Sequence, residues 1–263
     1  SNYFFIAGAG LLVAMTLAYL WYTIGAARLA NKIEIAQAQQ RRSQARKASK
    51  AAPVAVAVEG GVTTLVKDDV VMREQADGEK PIALNRNIIT IGRAASVLGW
   101  FTAFMLFMSL LIRAIIEQHA PWSNLYEFSL SFTTALLLCY LIFEARFHER
   151  VRAWGLYIGV LSIITVGIAV FLGVTYNMIN DSTALIPALQ DKPILAIHVA
   201  TAIFAYALFS VAFGAGVIML VQGGEGKRFA WLPSAEAADE LAYKAVIAGF
   251  PLLALTLILG AYW

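Results

Sequence analysis

Residues 193–224 read PILAIHVATAIFAYALFSVAFGAGVIMLVQGG, and these 32 residues contain no Asp, Glu, Lys or Arg. A helix needs about 20 mostly apolar residues to cross a hydrocarbon core about 30 Å thick. The stretch is therefore long enough to span a membrane. It also contains an ionisable side chain, His198, about one helical turn inside its beginning.

Five further stretches lack charged residues: 1–27, 94–112, 128–143, 153–180 and 245–263. Together the six stretches contain 141 of the 263 residues. The stretch 128–143 is long enough to span a membrane when residues 124–127 are included. The chain is 60% apolar and 14% charged, which excludes a soluble enzyme. Because the stretches lack the alternation of barrel strands, we predict an all-α polytopic membrane protein with about six transmembrane helices.

The basic residues indicate an orientation, because Lys and Arg are enriched in cytoplasmic loops. Residues 28–93 contain 12 of the 20 basic residues, and six more lie in the loops that follow stretches 128–143 and 193–224. Only Arg113 and Lys192 lie in the other loops. We therefore predict that the N-terminus is outside. This distribution explains the basic pI without a nucleic-acid partner.

The same pattern divides the chain into three parts. Residues 1–30 are predicted to form the first transmembrane helix, and residues 31–93 a basic cytoplasmic loop that is partly disordered. Within this loop, Asn31–Lys50 has high helix propensity and is predicted to be a solvated or membrane-surface helix. Residues 94–263 are predicted to form a five-helix membrane domain.

Few residues in and between these spans have side chains that could bind a ligand or take part in a reaction. An external turn, His119–Glu127, contains a helix-start signal in Ser123 or Asn124, and its remaining unexplained groups are His119 and a membrane-embedded Glu127. His148 lies among charges of both signs and is predicted to be solvated. The lone Cys139 is predicted to be a small buried apolar residue.

His198 has three possible roles. It could form a hydrogen bond between helices, relay protons, or ligate a metal or haem iron. A proton relay is disfavoured, because the last three spans provide no carboxylate partner. From composition alone, the other two roles stay open.

The order of five motifs resembles the cytochrome c biogenesis proteins of the CcsA/ResC type. The motifs are His119–Glu127 (HAPWSNLYE), Ala188–Asp191 (ALQD), Ile197–Val199 (IHV), Gly249–Pro251 (GFP) and Gly260–Trp263 (GAYW). They lie within residues 94–263, so the resemblance implies that this part is the cytochrome c assembly domain. Residues 1–93 contribute no motif.

The resemblance implies a function and a site. Proteins of this family carry haem b to the outer face of the membrane, where it is attached covalently to apocytochrome c. By position, His198 would be an external axial ligand of the haem iron, and Trp263 would be the first tryptophan of the family's porphyrin-binding WWD segment. His119 is a second candidate ligand. The sequence ends before the rest of the WWD segment and two further family histidines, so we expect a longer protein.

The resemblance also implies partners and a location. The partners would be the lipid bilayer, a second biogenesis subunit of the CcsB/ResB type and apocytochrome c. The site would face the extracytoplasmic side of a cell (inner) membrane or a thylakoid-type membrane. With the missing motifs, the protein would be part of a holocytochrome c synthase. The alternatives are a non-catalytic structural subunit of a larger membrane complex and, less favoured because no repeated half is visible, a secondary transporter.

Overall fold

A computed structural model describes residues 2–51, 86–147, 151–178, 193–223, 228–229 and 232–262. These residues form six α-helices and no strand: α1 (Asn2–Ala51), α2 (Arg86–Glu117), α3 (Leu125–Phe147), α4 (Trp154–Thr175), α5 (Pro193–Gln222) and α6 (Ala235–Tyr262). Each helix contains a segment long and apolar enough to cross a membrane. The predicted all-α fold with six candidate spans is thereby confirmed.

Helix α1 belongs to two compact units of the chain. The first unit contains residues 1–27 and 86–263, and the second contains residues 28–85. In the second unit, α1 continues to Ala51 without a break at residue 30, and its side chains from residue 31 to residue 44 are almost all exposed. Residues 52–85 of the predicted loop lie outside the described residues.

The helices of the first unit alternate in direction. At one end of the bundle, Phe5 of α1 contacts Tyr126 of α3, with ring centroids 6.0 Å apart, and Arg113 of α2 pairs with Glu127 of α3. We call this the Glu127 end. At the opposite end, the Glu144 end, the hydroxyl of Tyr19 in α1 donates to Glu144 at the end of α3.

Close packing between helices depends on small residues. A Cβ added to Gly159 of α4 would lie 2.6 Å from Oγ1 of Thr16 in α1, and one added to Gly99 of α2 would lie 2.9 Å from a methyl group of Leu141 in α3. Because apolar surface gains little by leaving lipid for protein, such close contacts are a main source of helix association in membranes.

Helices α5 and α6 form a hairpin that is closed at the Glu144 end by the buried side chain of Gln222. Its amide group donates to the backbone carbonyls of Phe229 at 3.0 Å and Pro233 at 2.7 Å. Its carbonyl oxygen accepts from the N–H of Phe229 at 2.8 Å. A single side chain therefore satisfies several backbone groups of the connection.

The substitution Gly159→Leu is expected to lower the free energy of unfolding by about 1–3 kcal/mol, because it overfills a close contact. The matched control is Gly167→Leu, on the same helix, where an added Cβ meets nothing within 4 Å. Both changes raise helix propensity equally. Unfolding by denaturing detergent measures the two effects, and equal stability of the two variants would contradict the proposed packing.

Candidate functional site

His198 lies in the first turns of α5 and its imidazole faces α6. The Nδ1 atom is 2.8 Å from the backbone carbonyl oxygen of Thr256. A carbonyl oxygen only accepts hydrogen bonds, so Nδ1 carries the proton and donates it to this bond. In the neutral ring the lone pair is then on Nε2, which has no hydrogen-bond partner among the residues that the structure describes.

Three residues of the hairpin surround His198. The Thr201 hydroxyl donates to the backbone carbonyl of His198 at 2.9 Å, and the Thr256 hydroxyl lies 2.9 Å from the Thr201 hydroxyl. Gly260, one turn beyond Thr256, lies against the imidazole: a Cβ at this position would be 2.8 Å from His198 Cε1. The histidine is therefore held by α6 and partly buried against it.

A second polar group lies at the Glu127 end, between α2 and α3. The buried guanidinium of Arg113 pairs with the buried carboxylate of Glu127 and, at 2.8 Å, with Glu117. The backbone N–H and the hydroxyl of Ser123 donate to the other oxygen of Glu127 at 2.8 and 2.6 Å. A charge buried in a membrane protein needs such partners.

The predicted helix-start signal is confirmed at Asn124. Its side-chain oxygen accepts from the backbone N–H of Glu127 at 2.9 Å, three residues along the chain. This is the bond of an N-cap residue, which satisfies one of the free N–H groups in the first turn of α3. The Glu127 side chain thus faces the cap, where Arg113 reaches it.

His119 lies beside this group. Its Nε2 is 3.4 Å from Glu117, and its Nδ1 is 3.0 Å from the backbone carbonyl oxygen of Ala120. Ligand atoms of Glu117, His119 and Glu127 lie within 4.8 Å of one another, as in a metal site. Because Arg113 pairs with both carboxylates, we interpret the group as an ion-pair network. None of the described interactions joins His119 to His198.

The most extensive network that the sequence reasoning missed lies at the Glu144 end. Glu144 accepts from the hydroxyl of Tyr19 at 2.5 Å and from that of Ser96, and pairs with Arg152 at 3.0 Å. Both charged residues are buried, although the basic-residue pattern counts Arg152 among the residues of the loop after stretch 128–143. The signal was the charge-free stretch 128–143, which is too short for a span unless flanking charges enter the bundle.

An apolar cleft of about 240 Å³ opens between α2, α3 and α5. Trp122 lies on its wall, and its lining hydroxyls belong to Ser131 and Thr134. Both hydroxyls donate to backbone carbonyls, at 2.9 Å in each case. The cleft therefore offers volume and apolar surface but no ligand for a metal ion.

Several predicted residues lie outside the described part of the chain, namely Trp263, His148 and the motif at residues 188–191. Cys139 is described, and it is buried in α3 as predicted.

Comparison with known proteins identifies the family. The model of the family described as "Cytochrome C assembly protein" matches residues 122–263, more than half of the chain and a region that includes His198. The chain belongs to the cytochrome c assembly protein family. This membership assigns it to cytochrome c maturation, and the six apolar helices make it an integral membrane protein.

Two curated relatives support the assignment. The cytochrome c biogenesis protein CcsA of Mesostigma viride is 28% identical over 217 residues, which cover 71% of this chain and 67% of the relative. The CcsA protein of Chlamydomonas reinhardtii is 25% identical over 191 residues, which cover 71% of this chain and 52% of the relative. The chain thus spans about two thirds and half of the lengths of these relatives. No solved structure matches it significantly.

Removing one partner of a buried ion pair is expected to destabilise the bundle. For Glu144→Gln we expect a loss of about 3–5 kcal/mol, because the Arg152 guanidinium loses a buried counter-charge. Glu127→Gln is expected to cost less, since Arg113 keeps its bond to Glu117.

The control for both variants is Glu240→Gln, which breaks an exposed pair with Lys244 and should change stability by less than about 1 kcal/mol. Unfolding by denaturing detergent ranks the three variants. If Glu240→Gln were as destabilising as Glu144→Gln, the stabilising role of the buried pair would be wrong.

Proposed function

We propose that this protein handles haem b and presents it at the extracytoplasmic face for covalent attachment to apocytochrome c, with His198 as an axial ligand of the haem iron. The observation that carries the proposal is the bond from His198 Nδ1 to the Thr256 carbonyl. This bond leaves Nε2 with its lone pair, which is the form of imidazole that binds iron.

The residues present fit a haem ligand. Metal-bound histidines commonly donate their second ring N–H to a backbone carbonyl, which fixes the ring and raises its basicity. His198 has this partner before any iron is bound. It also lies near the end of a span, where a porphyrin can contact apolar helices while its edge reaches the aqueous phase.

Aromatic residues near the end of α6 supply candidate porphyrin contacts. Tyr262 is largely exposed, two residues beyond Gly260. Trp263 follows it in the sequence and is proposed, from the resemblance alone, to begin the porphyrin-binding segment.

The roles of haem, the apocytochrome and this chain follow from these positions. Haem supplies the vinyl groups, and the apocytochrome supplies the cysteine thiols that add across them to form thioethers. The contribution of this chain is placement: His198 holds one face of the iron, while the hairpin keeps the ring fixed. The buried Cys139 has no part in the reaction.

The sidedness is part of the proposal. The start of α1, the turn at His119 and the His198 end of the hairpin lie at the Glu127 end of the bundle, since Phe5 contacts Tyr126, and Ala200 of α5 lines the same cleft as Trp122. In the sequence, 18 of the 20 basic residues lie in residues 28–93 or in the loops that follow stretches 128–143 and 193–224. Lys and Arg mark the cytoplasmic side, so the site faces outward from a cell (inner) or thylakoid-type membrane. A subunit of the CcsB/ResB type is the proposed partner in the synthase.

His119 ranks second as a ligand. Both of its ring nitrogens face oxygen atoms, of Glu117 and of Ala120, so binding iron requires at least one of these contacts to break. Among the described residues, Nε2 of His198 has no such contact to break.

A structural subunit is the alternative function, because the bond of His198 to Thr256 also joins two helices. Under this alternative, His198 contributes stability and no haem ligand. The two functions differ in what exogenous imidazole does, since a small ligand restores iron binding without restoring a side-chain bond between helices.

In the full-length protein expressed with its partner subunit, His198→Gly is expected to lower haem absorbance and the yield of holocytochrome c by at least about tenfold. Added imidazole should restore part of the absorbance. His119→Gln is the control and should retain most of the haem. Unchanged haem content in His198→Gly, or a loss that imidazole does not rescue, would favour the structural subunit.

A further inference from the structure

The turn of α6 from Thr256 to Gly260 forms the surface on which the His198 ring lies. The Thr256 carbonyl accepts from Nδ1 at 2.8 Å. The three heavy atoms nearest to a Cβ built on Gly260 all belong to this ring: Cε1 at 2.8 Å, Nδ1 at 3.2 Å and Nε2 at 3.8 Å. The same short segment therefore contacts the histidine in two ways.

The glycine at position 260 is explained by this contact. Its φ lies outside the left-handed region, so the backbone does not require a glycine there. In the interior of a helix, glycine is about 1 kcal/mol less favourable than alanine. What the position requires is space, since a contact under 3.0 Å forces the ring or the helix to move.

The direction of the ring is set by the carbonyl. The Thr256 carbonyl lies on the helix that packs against α5, and Thr201 and Thr256 hold the two helices in register through their hydroxyls. An imidazole whose Nδ1 is fixed from one side presents Nε2 on the opposite side of the ring. The partner of Nδ1 thereby decides where a ligand of Nε2 sits.

We propose that Gly260 and the Thr256 carbonyl are the positioning elements of the axial ligand: the carbonyl fixes the Nδ1-protonated form of His198, and the missing side chain at Gly260 allows the ring to reach it. This inference rests on the proposed function, because it assigns the ligand role to His198. Gly260 itself does not touch the iron. Its role is to keep the imidazole ring in one orientation, so that Nε2 points to a single ligand position.

The first test uses valine at Gly260. In the full-length protein with its partner, Gly260→Val is expected to weaken haem binding by about 10- to 100-fold, the usual effect of losing a partner of a metal-bound histidine. The smaller change Gly260→Ala should have an intermediate effect. The matched control is Gly216→Val, in α5, where an added Cβ meets nothing within 4 Å.

The second test needs no haem. Nitrogen-15 NMR of the haem-free protein, labelled at histidine, distinguishes the Nδ1-protonated from the Nε2-protonated ring. The His198 signals are assigned by their loss in His198→Gly. We expect the Nδ1-protonated form in the native chain and in Gly216→Val, and a shift away from it in Gly260→Val.

The outcomes separate the two proposals. If His198→Gly keeps its haem, the proposed function fails. If haem depends on His198 but Gly260→Val binds it as well as Gly216→Val does, only the positioning role is overturned. An Nε2-protonated His198 in the haem-free native chain would also overturn it. Should Gly260→Val not fold, Gly260→Ala carries both measurements, because alanine favours the helix.

Discussion

Two buried ion pairs, one at each end of α3, hold the bundle together. Glu127 pairs with Arg113 of α2, and Glu144 pairs with Arg152 while accepting a hydrogen bond from Tyr19 of α1. A charge in a membrane protein interior is costly unless it is paired, so each carboxylate selects the arrangement in which its partners meet. Helix α3 is accordingly the most buried helix, and neighbouring helices contact it at both ends.

The number of spans could be predicted from the sequence, because lipid excludes charge and leaves no water to satisfy the backbone. The pairing of the charges could not be predicted from the sequence. Arg113 and Arg152 look like loop residues when they are counted for topology, and only the approach of the helices shows that they neutralise Glu127 and Glu144. Two local hints were the membrane-embedded Glu127 and the stretch of 16 residues between the two glutamates, which is too short to span alone.

The candidate site was predictable to the level of one residue. His198 is the only His, Asp, Glu, Lys or Arg in its stretch of 32 residues, and this rarity identified it. Its partners could not be found in this way, because Thr256 is 58 positions away and contributes a backbone atom that carries no sequence signature. Gly260 belonged to a motif, yet its close approach to an imidazole depends on how α5 and α6 pack. Trp263 stays a prediction, since it lies outside the described residues.

The hairpin of α5 and α6 has a consequence for the order in which the protein is made. Among the described residues, the side chain of Gln222 bonds to the connection that follows it, and the groups that hold His198 lie on the same two helices. These two helices are consecutive in the chain, so their contacts close a short loop. During synthesis, the contacts around His198 can therefore form as soon as α6 has been inserted into the membrane. They do not require that the earlier helices have already packed.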